Sequence, residues 1–269
     1  MCGECLSQPS RRQVLFAAAA GILTVGAGAP VSHGRAGRSI VPVEVGPGLR
    51  IWPRDGWGRD LQPVGPTQPE PNVKFLLVHH TAGSNKYEKQ DVVSKIREVY
   101  SFHTSSSKKW VDVCYNFFVD RFGGVWEGRA GSLAGPVRAD ATGGSQGFAQ
   151  LVCLLGNFET EKPTTAMMDS CSRVLGWLAD KYAVDLDQRR QVAFVSRGSN
   201  RWPQGAKVNA RPISGHRDMS ATACPGRHVY GLLEEVVPRA AKAAKDEFAR
   251  NRRSGSSPST ISPRTVRRP

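Results

Sequence analysis

Short apolar runs alternate with polar, glycine-rich segments through the middle of the chain. Residues 73–80 are mostly apolar and end at Thr81-Ala82-Gly83, a pattern typical of a buried strand that ends in a turn. Residues 151–155 are uninterruptedly apolar, which predicts a central strand covered on both faces. Residues 111–119 are a further strand candidate, and residues 122–126 predict a hairpin turn that leads into another strand.

Three other segments repeat apolar residues at helical spacing and predict helices over about residues 86–103, residues 164–182 and a last stretch that begins near Pro225. The inward positions predicted for this last helix are Val229, Leu232, Leu233, Val236 and Val237. Helices interleaved with strands predict an α/β fold: a single domain over roughly residues 50–238, with a central mixed β-sheet flanked by helices. The chemistry is then expected at the ends of the strands.

Charge is concentrated at the two ends of the chain. Of the net charge of +14, residues 239–269 contribute nine basic against two acidic residues, and residues 1–38 contribute four against one. The 200 residues between are nearly balanced, which argues against nucleic acid as a partner because such a domain concentrates basic residues on its folded surface. Past Arg250 the chain lacks the apolar residues to order itself, so residues 239–269 are expected to be a basic helix end and a disordered tail.

The first 38 residues resemble an export signal. Arg11 and Arg12 precede an uncharged, Ala- and Gly-rich run over residues 16–30, as in twin-arginine (Tat) signals. That run is short and poor in large apolar residues, so no membrane span is expected once the signal is removed. Cys2 and Cys5 would leave with the signal, and Cys114, Cys153 and Cys171 lie in apolar segments as buried thiols do.

Two histidines and a cysteine are placed as metal ligands would be. A catalytic zinc site uses three protein ligands and an open fourth position. His79 or His80 ends the first predicted strand, and His216 precedes Cys224 by eight residues. Neighbouring strand residues point to opposite faces, so only one of the two adjacent histidines can join the others. The spacing alone leaves the choice open, and leaves a purely structural pair as an alternative.

Four sequence blocks resemble, in order and spacing, the peptidoglycan recognition protein and type 2 N-acetylmuramoyl-L-alanine amidase family. They are FLLVHHTAG at 75–83, WVDVCYNFFVDRFGGVWEG at 110–128, LLGNF at 154–158 and SGHRDMSATACPG at 214–226. The resemblance implies Zn²⁺ held by His79, His216 and Cys224. It implies that Tyr115 and Thr222 are catalytic, as hydrogen-bond donors to the reacting carbonyl. Trp110 resembles a tryptophan that the family uses toward diaminopimelate-type stem peptides, which makes it a candidate substrate contact. His103, at the end of a predicted helix, is a second candidate for the substrate cleft, with a helix cap as the alternative.

The implied reaction is zinc-dependent hydrolysis of the amide between N-acetylmuramic acid and L-alanine in peptidoglycan, by an enzyme secreted to the cell wall. The alternative is a module that binds muropeptide without cutting it, and Cys224 favours the enzyme because recognition-only relatives typically lack this cysteine. Some relatives place a Glu on the strand that carries Cys153 here, so no general base is assigned. Glu127 is expected to be structural. The basic tail is a candidate for binding anionic wall polymers.

Overall fold

The computed structural model describes residues 39–141 and 148–254. The signal-like residues 1–38, residues 142–147 and residues 255–269 of the basic tail lie outside the described residues. None of the helices in the described part is long and apolar enough to cross a membrane. Its strands are β1 (Val43–Gly46), β2 (Leu49–Trp52), β3 (Phe75–His80), β4 (Phe117–Val119), β5 (Val125–Glu127), β6 (Ala149–Leu154), β7 (Val192–Val195), β8 (Lys207–Ala210) and β9 (Ile213–Gly215).

Seven of these strands form one mixed sheet in the order β1-β2-β5-β4-β6-β3-β9. β3 lies between β6 and β9 and is parallel to both, whereas β4 and β5 form an antiparallel hairpin. β3 and β6 are buried along their whole lengths, as expected for central strands covered on both faces. The predicted α/β fold, with a central mixed sheet flanked by helices, is confirmed. β7 and β8 form a separate antiparallel hairpin.

The α-helices are α1 (Asp55–Gly58), α2 (Val92–His103), α3 (Thr165–Lys181), α4 (His216–Met219), α5 (Arg227–Tyr230) and α6 (Val236–Arg253). Alternate residues of β3 point to two separate cores: Leu76 and Val78 pack with α3 and α6, and Phe75 and Leu77 pack with α2 and the β7–β8 hairpin. The sheet is therefore the middle layer of three.

Helices α3 and α6 approach each other closely at a glycine. A Cβ atom added at Gly176 would lie 2.5 Å from the Ala241 carbonyl oxygen, so only glycine allows this contact. α3 begins where the sequence predicts, because the Thr164 hydroxyl caps it by accepting the Met167 N–H at 3.2 Å.

The predicted last helix is divided into α5, a 3-10 turn and α6, and α6 buries Ala241, Ala244 and Phe248 beyond residue 238. Pro238 has no N–H to continue a helix through residue 234, but the first turn of a new helix accommodates it. The folded elements thus extend past both limits of the expected unit over residues 50–238, since β1 precedes it.

Only the last three residues of the predicted strand over residues 111–119 are β-structure. Side chains bind the backbone before it: the Cys114 N–H donates to His103 Nδ1 and the Val113 N–H to Asp112 Oδ1. Because these backbone groups already have partners, the segment does not pair with a strand.

Candidate metal centre and cleft

The ends of two neighbouring parallel strands bring the candidate metal ligands together. His79 lies at the carboxyl end of β3, and His216 directly follows β9, which pairs with β3. The two imidazole rings lie 4.5 Å apart between centroids. Parallel strands end at the same edge of a sheet, so this meeting is a consequence of the topology.

Cys224 completes the cluster from the loop after α4. Its sulfur lies 3.7 Å from His79 Nδ1 and accepts the His80 N–H at 3.3 Å, while its carbonyl accepts the Arg217 N–H at 2.9 Å. Candidate ligand atoms of His79, His216 and Cys224 all lie within 4.8 Å of one another, and all three residues are buried. Among the residues described, no further His, Cys, Asp or Glu joins this cluster.

The donor set fits a zinc ion. Zn–S and Zn–N bonds of about 2.3 and 2.0 Å at a tetrahedral angle separate the two ligand atoms by roughly 3.5 Å, close to the observed distance between Cys224 and His79. Burial, and then the neighbouring His216 and His80, lower the pKa of His79 well below its usual value. The neutral imidazole that a metal requires is therefore favoured. An ion held by these three side chains would keep a fourth coordination position open.

His80 points to the other face of β3. Its Nδ1 accepts the Phe158 N–H at 3.2 Å, and burial with the nearby Arg217 and His216 lowers its pKa to about 4. Alternation along the strand therefore separates the two adjacent histidines: His79 joins the cluster and His80 holds the loop after β6. The sequence alone left this choice open.

A chain of aromatic contacts runs from the cluster to Trp110, beyond the end of α2. The Tyr115 ring lies 5.2 Å from His79 and 5.6 Å from His103, and Trp110 lies 4.8 Å from His103. His103 is buried at the end of α2, where its Nδ1 accepts the Cys114 N–H. Burial, and then Lys108 and Arg129, lower the pKa of His103 to about 3. Four predicted site residues are thus in contact along one line.

Thr222 lies beside the cluster in a tight turn. Its hydroxyl oxygen accepts the Cys224 N–H at 3.2 Å, which fixes the threonine relative to the candidate ligand. All seven predicted site residues therefore belong to one connected region: the aromatic line joins His79 to Trp110, and this turn joins Cys224 to Thr222.

A groove of about 770 Å³ lies along α2. Its lining includes Thr81 and Gly83 after β3 and Ser94, Glu98 and Phe102 of α2, but none of the seven predicted site residues. Its volume is within the usual range for small-molecule sites. These groove residues were not predicted from the sequence, although the polar positions that interrupt the helical stripe indicate a solvent-facing side of α2.

Two other predictions are confirmed. Glu127 is structural, since its carboxylate accepts the Arg54 and Leu133 N–H groups at 3.0 and 2.9 Å. Cys114, Cys153 and Cys171 are buried and form no disulfide within the described residues, and burial raises the pKa of Cys171 to about 12.

Comparison with known proteins gives consistent results. The family described as N-acetylmuramoyl-L-alanine amidase matches residues 68–227. Peptidoglycan-recognition protein SC2 of Drosophila simulans is 26% identical over 186 residues, which cover 69% of this chain and 85% of the relative.

Two solved structures share the fold at lower identity. Drosophila PGRP-LB is 19% identical, with a TM-score of 0.54, covering 70% of this chain and 94% of its own. Human PGRP-IBETAC, solved with glycosamyl muramyl pentapeptide, is 22% identical, with a TM-score of 0.52, covering 69% of this chain and 95% of its own. Since the family match spans more than half of the sequence, the chain belongs to the N-acetylmuramoyl-L-alanine amidase family.

Proposed function

We propose that the protein is a zinc-dependent amidase that hydrolyses the bond between N-acetylmuramic acid and L-alanine in peptidoglycan. The observation that carries the proposal is Cys224, which completes a buried His/His/Cys cluster. A structural zinc site usually has four protein ligands, and the described residues provide three.

In this proposal His79, His216 and Cys224 hold the ion. A bound zinc ion would polarise the amide carbonyl and lower the pKa of a water molecule at the open position. The hydroxyls of Tyr115 and Thr222 would donate hydrogen bonds to the negative charge that develops on the carbonyl oxygen. β6 has Cys153 in register with His79 and contains no carboxylate, so no residue is assigned as general base.

The groove along α2 is the proposed substrate site, and Trp110 and His103, which contact each other at the end of α2, are candidate substrate contacts. The second candidate function is muropeptide binding without hydrolysis, which the human structure solved with a muramyl pentapeptide favours. Binding alone gives no role to a buried thiol beside two histidines. The complete cluster therefore favours the enzyme.

We also propose that the protein acts outside the cell, at the cell wall. The twin arginines and apolar run within residues 1–38 support export by the Tat route. Signal processing at a site between residues 27 and 38 would leave the folded elements, which begin at Val43, intact.

Product release tests the activity. Purified protein is incubated with peptidoglycan, with and without a zinc chelator, and free stem peptides with a new L-alanine amino terminus are quantified. We expect release that the chelator stops and added zinc restores. Muropeptide binding by folded, zinc-loaded protein without any release would contradict the amidase and support the second candidate.

The basic tail is proposed to bind anionic wall polymers by charge. Several basic residues of α6 already have acidic partners, including Lys242 with Asp246 and Arg252 with Asp180. The part to remove is therefore the segment after Ser254, whose three arginines have no acidic residue among them. Its removal should weaken salt-sensitive wall binding and leave cleavage of soluble muropeptide unchanged; unchanged wall binding would contradict the proposal.

A further inference from the structure

The β7–β8 hairpin is fixed to the central sheet and reaches the segment between two candidate ligands. Phe194 of β7 packs against Phe75 of β3 at 5.4 Å and against Phe148 at 5.9 Å between ring centroids. Val208 and Ala210 of β8 are buried in the same core. The hairpin is thus a rigid support for the turn that joins its strands.

Four consecutive side chains of this turn, residues 199–202, bind the backbone of residues 217–221. The Ser199 hydroxyl donates to the Met219 carbonyl at 2.8 Å, and Trp202 Nε1 donates to the Asp218 carbonyl at 2.9 Å. Arg201 donates to the Arg217 carbonyl. Asn200 makes two hydrogen bonds with Ala221: Oδ1 accepts the N–H at 2.8 Å, and Nδ2 donates to the carbonyl at 3.4 Å.

These contacts supply hydrogen-bond donors for the carbonyl groups at the end of α4. α4 has a single turn, and the last carbonyls of a helix have no partner within the helix. Residues 199–202 provide donors to three successive carbonyls of α4, and Asn200 then pairs with Ala221 as a neighbouring strand would. Ala221 directly precedes Thr222. Every one of these contacts is made to the backbone, so they set the path of the chain whatever side chains the segment carries.

The segment is bounded by candidate ligands at both ends, because His216 begins α4 and Cys224 follows Thr222. Its internal hydrogen bonds include Ser220 N–H to the His216 carbonyl at 3.0 Å and Arg217 N–H to the Cys224 carbonyl at 2.9 Å. These link the segment to itself, whereas the hairpin links it to the sheet that carries His79.

We infer that residues 199–202 are a positioning element that holds the segment after His216 so that Cys224 and Thr222 meet His79. The inference rests on the proposed zinc site. A ligand loop held in place before the metal arrives binds it more tightly, because less conformational entropy is lost on binding. A contact with only a structural role would instead change the stability of the fold and leave the zinc affinity of folded protein unchanged.

The test compares Asn200→Ala, Asn200→Asp and the double variant Asn200→Ala with Trp202→Phe. Asn200→Asp keeps the acceptor for the Ala221 N–H. The matched control is Asn209→Ala, an exposed asparagine on β8 of the same hairpin. For full-length proteins we measure zinc affinity by competition with a chromophoric chelator, the melting temperature without metal, and the thiolate-to-cobalt charge-transfer band after cobalt substitution.

We expect roughly tenfold weaker zinc binding in the double variant, a change of about 1.4 kcal/mol, because the lost hydrogen bonds no longer hold the ligand loop in place before the metal binds. The zinc affinity of Asn200→Asp should lie between those of Asn200→Ala and wild type. The thiolate-to-cobalt band should weaken in the same order as the zinc affinities. Zinc affinity equal to that of Asn209→Ala, at any melting temperature, would overturn the inference. Failure of the wild type itself to bind zinc would instead refute the proposed function.

Discussion

The two halves of the candidate metal centre are built in different ways. The half with His79 and Tyr115 is supported by buried strands and ring contacts at the centre of the sheet. The half with Cys224 and Thr222 lies in a loop held by hydrogen bonds, several of them from the β7–β8 hairpin. Packing energy is spread over many contacts, whereas a short loop depends on a few. We therefore expect damage to the first half to lower stability and damage to the second to lower metal affinity.

Cys224→Ser should produce the largest effect. It removes the thiolate from the loop half, so zinc binding and peptide release should both be lost. The protein should remain folded and retain affinity for soluble muropeptide, because the groove along α2 is separate from the sulfur. Circular dichroism, metal analysis and the release assay measure these outcomes, and a fully active variant would disprove the ligand assignment.

Leu151→Ala tests the half of the candidate metal centre that contains His79 and Tyr115. Leu151 is fully buried on β6 in register with Leu77, so its truncation should lower the free energy of unfolding by about 2–5 kcal/mol. Zinc affinity of the folded protein should stay near wild type. Urea unfolding measures the free energy of unfolding, and chelator competition measures the zinc affinity. A large loss of zinc affinity with little loss of stability would contradict the proposed difference between the two halves.

Tyr115→Phe separates chemistry from packing within the sheet half. The ring contacts with His79 and His103 remain, but the hydroxyl is lost. Removal of an oxyanion donor should lower kcat by about 10²–10³ with little change in stability. Tyr182→Phe, directly after α3 and packed at the other face of the sheet, is the matched control. Equal kcat for the two variants would mean that Tyr115 is a core residue only.

His103→Gln should give the smallest effect, on the pH dependence of stability. The folded pKa of about 3 lies below the unfolded value near 6.5, so His103 stabilises the fold fully above pH 6.5 and progressively less as pH falls toward 3. Between pH 6.5 and 5 the metal-free wild type should lose about 2 kcal/mol more than the variant. Urea unfolding with chelator present measures this, and identical pH profiles would contradict it.

The elements that the sequence predicted correctly are those marked by a pattern of apolar residues within one continuous segment. The apolar stripe and Thr164 identified α3, and the uninterrupted run at residues 151–155 identified β6. Residues 111–116 were misassigned because side chains such as His103 satisfy their backbone, a contact that no local pattern reveals. The β7–β8 hairpin was not predicted, although burial alternates along both strands and Trp202-Pro203-Gln204-Gly205 between them is typical of a turn.

For the site, residue types and spacing indicated the candidate metal ligands, and the family resemblance selected His79 rather than His80. Neither predicted the line of rings from His79 through Tyr115 and His103 to Trp110, because these contacts form between segments that are separate in the sequence. The contacts of residues 199–202 were hidden for a second reason: they are made to backbone atoms, which every sequence contains.

The contact between His79 and Cys224 joins positions 145 residues apart in the chain. An unfolded chain brings such distant positions together rarely, and during synthesis the histidine emerges long before the cysteine. The sheet must have added β9, its last strand along the chain, before the three candidate ligands can converge. Metal uptake would therefore mark the completion of folding, and a partly folded chain would remain an inactive species even where zinc is abundant.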